Sequence, residues 1–112
     1  VDVLGALASS TPTTHIVNTR NGSSIRELPA DASVEVPCSI STAGVVPHDC
    51  GVVEESIIGL IRQVKSYERL TIEAAVNHDR RAALLALLAH PLVPSAEVAS
   101  AVLGDIEQRG LL

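Results

Sequence analysis

Cys38, His48 and Cys50 are the residues of this chain that first invite a chemical reading, with His15 as a possible fourth ligand. A tetrahedral zinc site takes four nitrogen and sulfur ligands and usually opens with a closely spaced Cys pair. Here nine residues lie between Cys38 and His48 and one between His48 and Cys50. That spacing suits two ordinary thiols and a loop histidine better than a metal centre. Cys38 and His48 could also form a nucleophile–base pair, but no helix N-terminus or basic neighbour in the sequence activates the thiol. Glu27, Asp31 and Glu35 have the types needed for general acid–base work. Glu27 and Asp31 sit in turn-like segments, where acids serve local hydrogen bonding. Glu35 stands between Val34 and Val36 and reads as the solvated face of a strand. Asn18, Thr19, Arg20 and Asn21 form the most polar cluster. They invite two readings: ligand contacts at a strand end, or a turn whose Asn side chains bond to the backbone. His78 and His90 flank a helix and read as capping residues. No GxGxxG and no P-loop motif occurs. These residues alone assemble no complete active site.

The elements that must hold them change character near residue 51, from Thr, Ser, Val, Pro and Gly to Ala, Leu, Glu and Arg. That order, strands and loops followed by helices, predicts an α+β fold. Residues 2–9 read as a helix ended by Pro12. Residues 13–19 read as a strand, Asn21-Gly22-Ser23-Ser24 as a turn, and Leu28-Pro29-Ala30-Asp31 as a second turn. Residues 32–40 read as a strand with Val34 and Val36 on one face. Pro37 has no N–H, which places that strand at an edge or bulges it. Val45-Val46-Pro47 suggests a further short strand in the loop that follows. From Val52 the period becomes helical, with Val53, Ile57, Leu60, Val64, Tyr67, Thr71 and Ala75 as one apolar stripe. Asn77-His78-Asp79 breaks this helix. A second helix over 80–89 carries Leu84, Leu85, Leu87 and Leu88 nearly all round and is expected to be well buried. Ser95 is a suitable N-cap for a third helix with Val98, Val102 and Ile106 on one face, ending at Gly110.

The chain has 112 residues, a size that suits one domain. Residues 1–51 supply its strands and loops, and 52–112 a bundle of three helices. It contains no Met, Trp or Phe and a single aromatic residue, Tyr67. With no initiator Met, the chain is expected to be a piece of a longer polypeptide. A hydrophobic fraction of 46% rules against intrinsic disorder. Without aromatic rings, base stacking on single-stranded nucleic acid has no platform. Only Arg80-Arg81 are adjacent among eight Lys and Arg residues, and the net charge is −5, so there is no basic stripe. No apolar run is long enough to span a membrane. Two cysteines are too few for a disulfide framework, which points to the cytosol.

Several runs resemble the family 4 glycoside hydrolases. They are His15-Ile16-Val17-Asn18-Thr19-Arg20-Asn21-Gly22 and Leu28-Pro29-Ala30-Asp31-Ala32-Ser33-Val34-Glu35-Val36-Pro37. They continue with Val64-Lys65-Ser66-Tyr67-Glu68-Arg69-Leu70-Thr71-Ile72-Glu73-Ala74-Ala75, and with Asp79-Arg80, Ala82 to Leu88 and His90-Pro91-Leu92-Val93-Pro94-Ser95. The order is the family's order over residues 13–106, and the Pro-Leu-Val-Pro-Ser run leans toward the 6-phospho-β-glucosidase branch. The resemblance implies the C-terminal domain of a lactate/malate dehydrogenase-like enzyme that uses NAD and a divalent metal, typically manganese. It implies that the sugar is oxidised at C3 by hydride transfer, which acidifies the C2 proton. A base then removes that proton, the aglycone is eliminated, and water addition and reduction complete hydrolysis. This route lies outside the two-carboxylate scheme of most glycosidases. The family's dinucleotide-binding half and its metal-ligating Cys and His match nothing here, so no catalytic, cofactor or metal residue carries over. Asn18 and Asn21 carry over as substrate-pocket positions. The expected partners are the N-terminal dinucleotide-binding domain, a phosphorylated glucoside and further copies of the chain, with the isolated piece inactive and self-associating. A non-enzymatic interaction or oligomerisation module is the alternative.

Overall fold

The computed structural model describes residues 2–112. The elements run α1 (Asp2–Leu7), β1 (Thr13–Arg20), β2 (Ser33–Ser41), β3 (Gly44–Pro47), α2 (Glu55–Asn77), α3 (Arg80–Ala89) and α4 (Ala96–Gln108). The α+β order expected from composition is therefore present. Contacts divide the chain into two compact units, one running up to Glu54 and the other covering Glu55–Leu112.

In the first unit the strands form an antiparallel sheet in the order β1-β2-β3. β1 pairs with β2 from Thr13↔Ile40 to Arg20↔Ser33, and β2 with β3 from Cys38↔Pro47 to Ser41↔Gly44. The period-two pattern of β2 buries Val34, Val36, Cys38 and Ile40 and leaves Ser33, Glu35 and Pro37 exposed. Helix α1 packs on β2 and contributes the buried Ala6, while Leu28 and Ala32 fill the core from the turns. Each large aliphatic side chain buried in this way contributes about 1.5–3 kcal/mol.

Pro37 corrects the sequence expectation. It stands in the central strand, not at an edge. The phase of the ladder explains why this is tolerated. Asn21 N–H donates to the Ala32 carbonyl at 2.8 Å, continuing the β1–β2 register by one step. Hydrogen-bonded pairs alternate in an antiparallel ladder. Residues 36 and 38 therefore bond β1, and the backbone of Pro37 faces the other way. On that side His48 N–H donates to the Pro37 carbonyl at 2.9 Å. The return bond needs an N–H that proline lacks. The buried Ser24 hydroxyl replaces it, donating to the His48 carbonyl. Cys50 N–H then donates to the Ser24 carbonyl at 2.8 Å, so the chain beyond β3 is tied to the first turn.

In the second unit α2 ends where Asp79 N–H bonds back to the Ala74 carbonyl at 3.1 Å. This is the six-to-one bond of a Schellman motif, with His78 at the left-handed position, φ 52°. Asp79 caps α3 by accepting from Arg81 N–H and Ala82 N–H at 2.8 and 3.1 Å. Ser95 caps α4 as its type predicts, accepting from Val98 N–H at 3.2 Å. Gly110, φ 67°, turns the chain after α4. The core is Ala74, Ala82, Ala83 and Leu103, with Leu84, Leu87 and Leu112 packed against it.

Two expectations about this unit change. Alanines, not leucines, form the buried face of α3: Leu85 and Leu88 are 42% and 46% exposed. Small side chains let α2 and α3 approach closely, and the leucines flank the contact. On α2 and α4 the buried positions are Ile58, Ala74, Ala99 and Leu103. Ile57 and Leu60, placed on the expected stripe, are half exposed, as are Val98 and Val102.

Replacing Ser24 by Ala strands the His48 carbonyl, and urea unfolding should show a loss of about 1–3 kcal/mol. Replacing His78 by Gly relieves the left-handed backbone cost and should raise stability by about 0.5–1 kcal/mol in the same assay.

Candidate functional site

Asn21 is wholly buried, at 0% exposure. Its Nδ2, with two hydrogens, one of them shared, donates to the carbonyls of Ile25, Leu28 and Pro29 at 2.9, 3.1 and 3.1 Å, and its Oδ1 accepts from Ile25 N–H at 2.8 Å. Gly22 follows at φ 58°, a left-handed position that glycine takes at no steric cost, and donates to Ala30 at 2.9 Å. One amide side chain thus satisfies four backbone groups of the segment between β1 and β2. Of the two readings of the polar cluster, Asn21 follows the backbone-bonded one. Asn18 differs. It lies on the exposed sheet face, directly opposite Glu35 and next in line to Arg20. Its side chain is open to solvent and to any ligand that covers this face.

The metal candidates do not converge. His48 Nε2 pairs with the Ser39 hydroxyl at 2.8 Å, and His15 Nε2 with the Thr13 hydroxyl at 2.9 Å. Among the described residues no group of three or more His, Cys, Asp and Glu side chains could hold a metal ion. Cys38 is fully buried on the inner face of β2, its thiol 3.4 Å from the Val36 carbonyl. Burial, reinforced by the neighbouring Cys50, pushes its pKa up, which suppresses the thiolate a nucleophile needs. Glu27 accepts from Val53 N–H at 3.4 Å, while Glu35 projects from the sheet face, so these two carboxylates serve different places. Asp31 lies exposed in the turn before β2.

Arg26 and Asp49 form an exposed ion pair at 2.5 Å across the same loops. The Arg26 guanidinium, with help from Gly51 N–H, holds the Asp49 carboxyl below its usual range. A depressed carboxylate stabilises the fold above its ordinary pKa and loses that contribution as pH falls through the lowered one.

In the helical unit Tyr67 and His90 stack with ring centroids 4.3 Å apart and planes tilted by 47°. His90 also ends α3: its N–H donates to the Leu87 carbonyl and its Nδ1 accepts from Leu92 N–H at 3.1 Å. Beside them lies an apolar cavity of about 380 Å³, walled by Tyr67, Thr71, Ala75, Ala83, Ile106 and Leu112. The second half of the expected α2 stripe therefore lines a cavity. Sequence reasoning missed Ser24. The signal was available in Pro37, whose absent donor requires a substitute.

Asn21→Ala should unfold at lower urea, with a loss of about 1–3 kcal/mol, because it strands the buried Leu28 carbonyl and removes the amide's bonds to its part-buried neighbours. Thiol titration of the native protein should label Cys50 alone, with Cys38 reacting only on unfolding.

A family described as "Family 4 glycosyl hydrolase C-terminal domain" matches residues 1–93. The 6-phospho-beta-glucosidase BglT of Thermotoga maritima is 45% identical over 92 residues, which is 82% of this chain and 22% of that protein. A probable 6-phospho-beta-glucosidase of Bacillus subtilis is 43% identical over 90 residues, covering 80% of this chain and 20% of its own length. The solved Thermotoga maritima 6-phospho-beta glucosidase with manganese, NAD+ and glucose-6-phosphate superposes with a TM-score of 0.88 at 38% identity, over 99% of this chain and 28% of that one. A 6-phospho-alpha-glucosidase from gut microorganisms, in complex with NAD and Mn2+, gives a TM-score of 0.90 at 29% identity, over 97% of this chain and 26% of that one. This chain accordingly spans about a fifth of the length of the curated relatives it matches. Shared motifs, shared fold and the family match together show that the chain belongs to the C-terminal domain family of family 4 glycosyl hydrolases.

Proposed function

We propose that this chain is the C-terminal part of a 6-phospho-β-glucosidase that hydrolyses O-glycosyl bonds of 6-phosphoglucosides in the cytoplasm, using NAD and manganese. The observation that carries the reading is the 45% and 43% identity to two relatives named as 6-phospho-beta-glucosidases, against 28–32% to the phospho-alpha-glucosidases and maltose-6'-phosphate glucosidases; the Escherichia coli 6-phospho-beta-glucosidase stands at 32%. The described residues gather no metal-ligating cluster, and the sequence holds no glycine-rich dinucleotide loop. NAD and manganese do not fit this chain's own residues and belong, on this reading, to an N-terminal dinucleotide-binding domain. What this chain contributes is a rigid sheet carrying an open polar face. On that face Asn18 is the substrate-binding position, an amide able to donate to and accept from sugar hydroxyls. Asn21 acts on the pocket indirectly, by fixing the turn into which β1 leads.

A second reading, an oligomerisation or protein-interaction module, rests on the apolar residues left open on the helices, including Ile72, Val76 and Leu92. The two readings are compatible if the parent enzyme is a homo-oligomer. No described helix is long and apolar enough to cross a membrane.

The full-length protein should cleave a chromogenic 6-phospho-β-glucoside with NAD and Mn²⁺ and lose that activity in chelator, while residues 1–112 alone should be inactive. A full-length protein that turns over only unphosphorylated glucosides would overturn the reading. Asn18→Ala in the full-length enzyme should raise KM about tenfold, the size expected for one lost polar contact to a sugar. Light scattering of residues 1–112 should show self-association.

A further inference from the structure

The same ladder phase that makes Pro37 tolerable leaves β1 with an unused hydrogen-bonding edge. Asn21 bonds Ala32 directly across the register. By alternation, Thr13, His15, Val17 and Thr19 bond β2, while the N–H and C=O groups of Thr14, Ile16, Asn18 and Arg20 point away from the sheet. β1 is the outermost strand, and those four residues are exposed, Ile16 by 67%. Natural edge strands are usually blunted by Lys, Pro, a bulge or shortness. β1 has eight residues in unbroken register, without Lys or Pro, and its one charged residue, Arg20, is the last. Between helix α1 and the start of the strand lies an open groove of about 440 Å³, lined by Asp2, Ala6, Ser9, Thr13, Thr14 and His15.

We infer that the β1 edge is a strand-docking site, occupied by an extended segment of the same polypeptide upstream of this chain. The inference rests on the reading above, that the chain is the C-terminal part of a longer enzyme. Three observations select this occupant. The solved relatives hold the same fold within chains of which it makes up 25–28%. The family matched is a C-terminal domain, so a further part of the parent polypeptide precedes it. β1 is also the first strand of the sheet, reached from that upstream side through α1. An added strand would make the sheet four-stranded and satisfy up to eight backbone groups through Thr14, Ile16, Asn18 and Arg20. It would also bring side chains of the upstream segment beside Asn18 on the exposed face.

Amide hydrogen exchange on the full-length protein, read residue by residue, tests this. The amides of Thr14, Ile16, Asn18 and Arg20 should exchange at least about a hundredfold more slowly than unstructured amides, like those of Val17 and Thr19. Ile16→Pro, which by the logic of Pro37 leaves the β1–β2 ladder intact, should speed exchange at Asn18 about tenfold or more. Free exchange at the four amides in the wild type would overturn the inference. So would protection that vanishes on dilution to monomer, which would assign the edge to a second copy. Hydrolysis of the phosphoglucoside with free exchange sinks this inference alone, and protection without hydrolysis sinks the functional reading alone.

Discussion

Pro37 interrupts the hydrogen-bond ladder between β2 and β3, and the sheet unit is organised around that missing donor. The His48 carbonyl turns to the Ser24 hydroxyl, and Ser24 in turn accepts from Cys50 N–H. Ser24 reaches that position because Asn21, three residues before it, holds the segment between β1 and β2 on its buried amide. A part-buried carbonyl left without a donor costs a share of the stability of a small unit. One proline therefore couples the central strand, the turn before it and the loop after β3 into a single polar network. That network sets the end of β1 and with it the face on which Asn18 stands.

The helical unit is held by a different economy of space. Alanines at positions 74, 82 and 83 form the contact between α2 and α3, and Leu103 of α4 closes the cluster. Close helix approach replaces side-chain bulk, which suits a chain with one aromatic residue. Apart from the buried Ile58 and Leu103, many of the unit's larger aliphatic side chains, among them Ile57, Leu60, Ile72 and Val76, stay exposed.

The chemistry available to this chain follows from these two arrangements. Buried Cys38 and the hydroxyl-paired His15 and His48 are structural, and no carboxylates converge with them. What remains accessible is the polar sheet face with Asn18, Arg20 and Glu35, and the free backbone edge beside it. Both are surfaces for binding and positioning.

Much of this was legible without coordinates. The alternation of β2, the Asn-Gly turn, the cap at Ser95 and the break at Asn77-His78-Asp79 are local matters, decided by backbone preferences within a few residues. The family motifs were likewise readable, because the residues that carry them stand in linear order. The burial of Asn21 and the location of Pro37 were not. Whether a strand is central depends on which other strands find it, and whether an amide faces a ligand or a loop depends on carbonyls four to eight residues away. The same holds for the helices. Periodicity named apolar residues on α2 and α3, but the choice of face went to the alanines, because packing rewards the closest fit between helices rather than the largest side chain. Local sequence determined the elements, their ends and the family; only the tertiary structure decided which polar groups were spent on the fold and which were left free to bind.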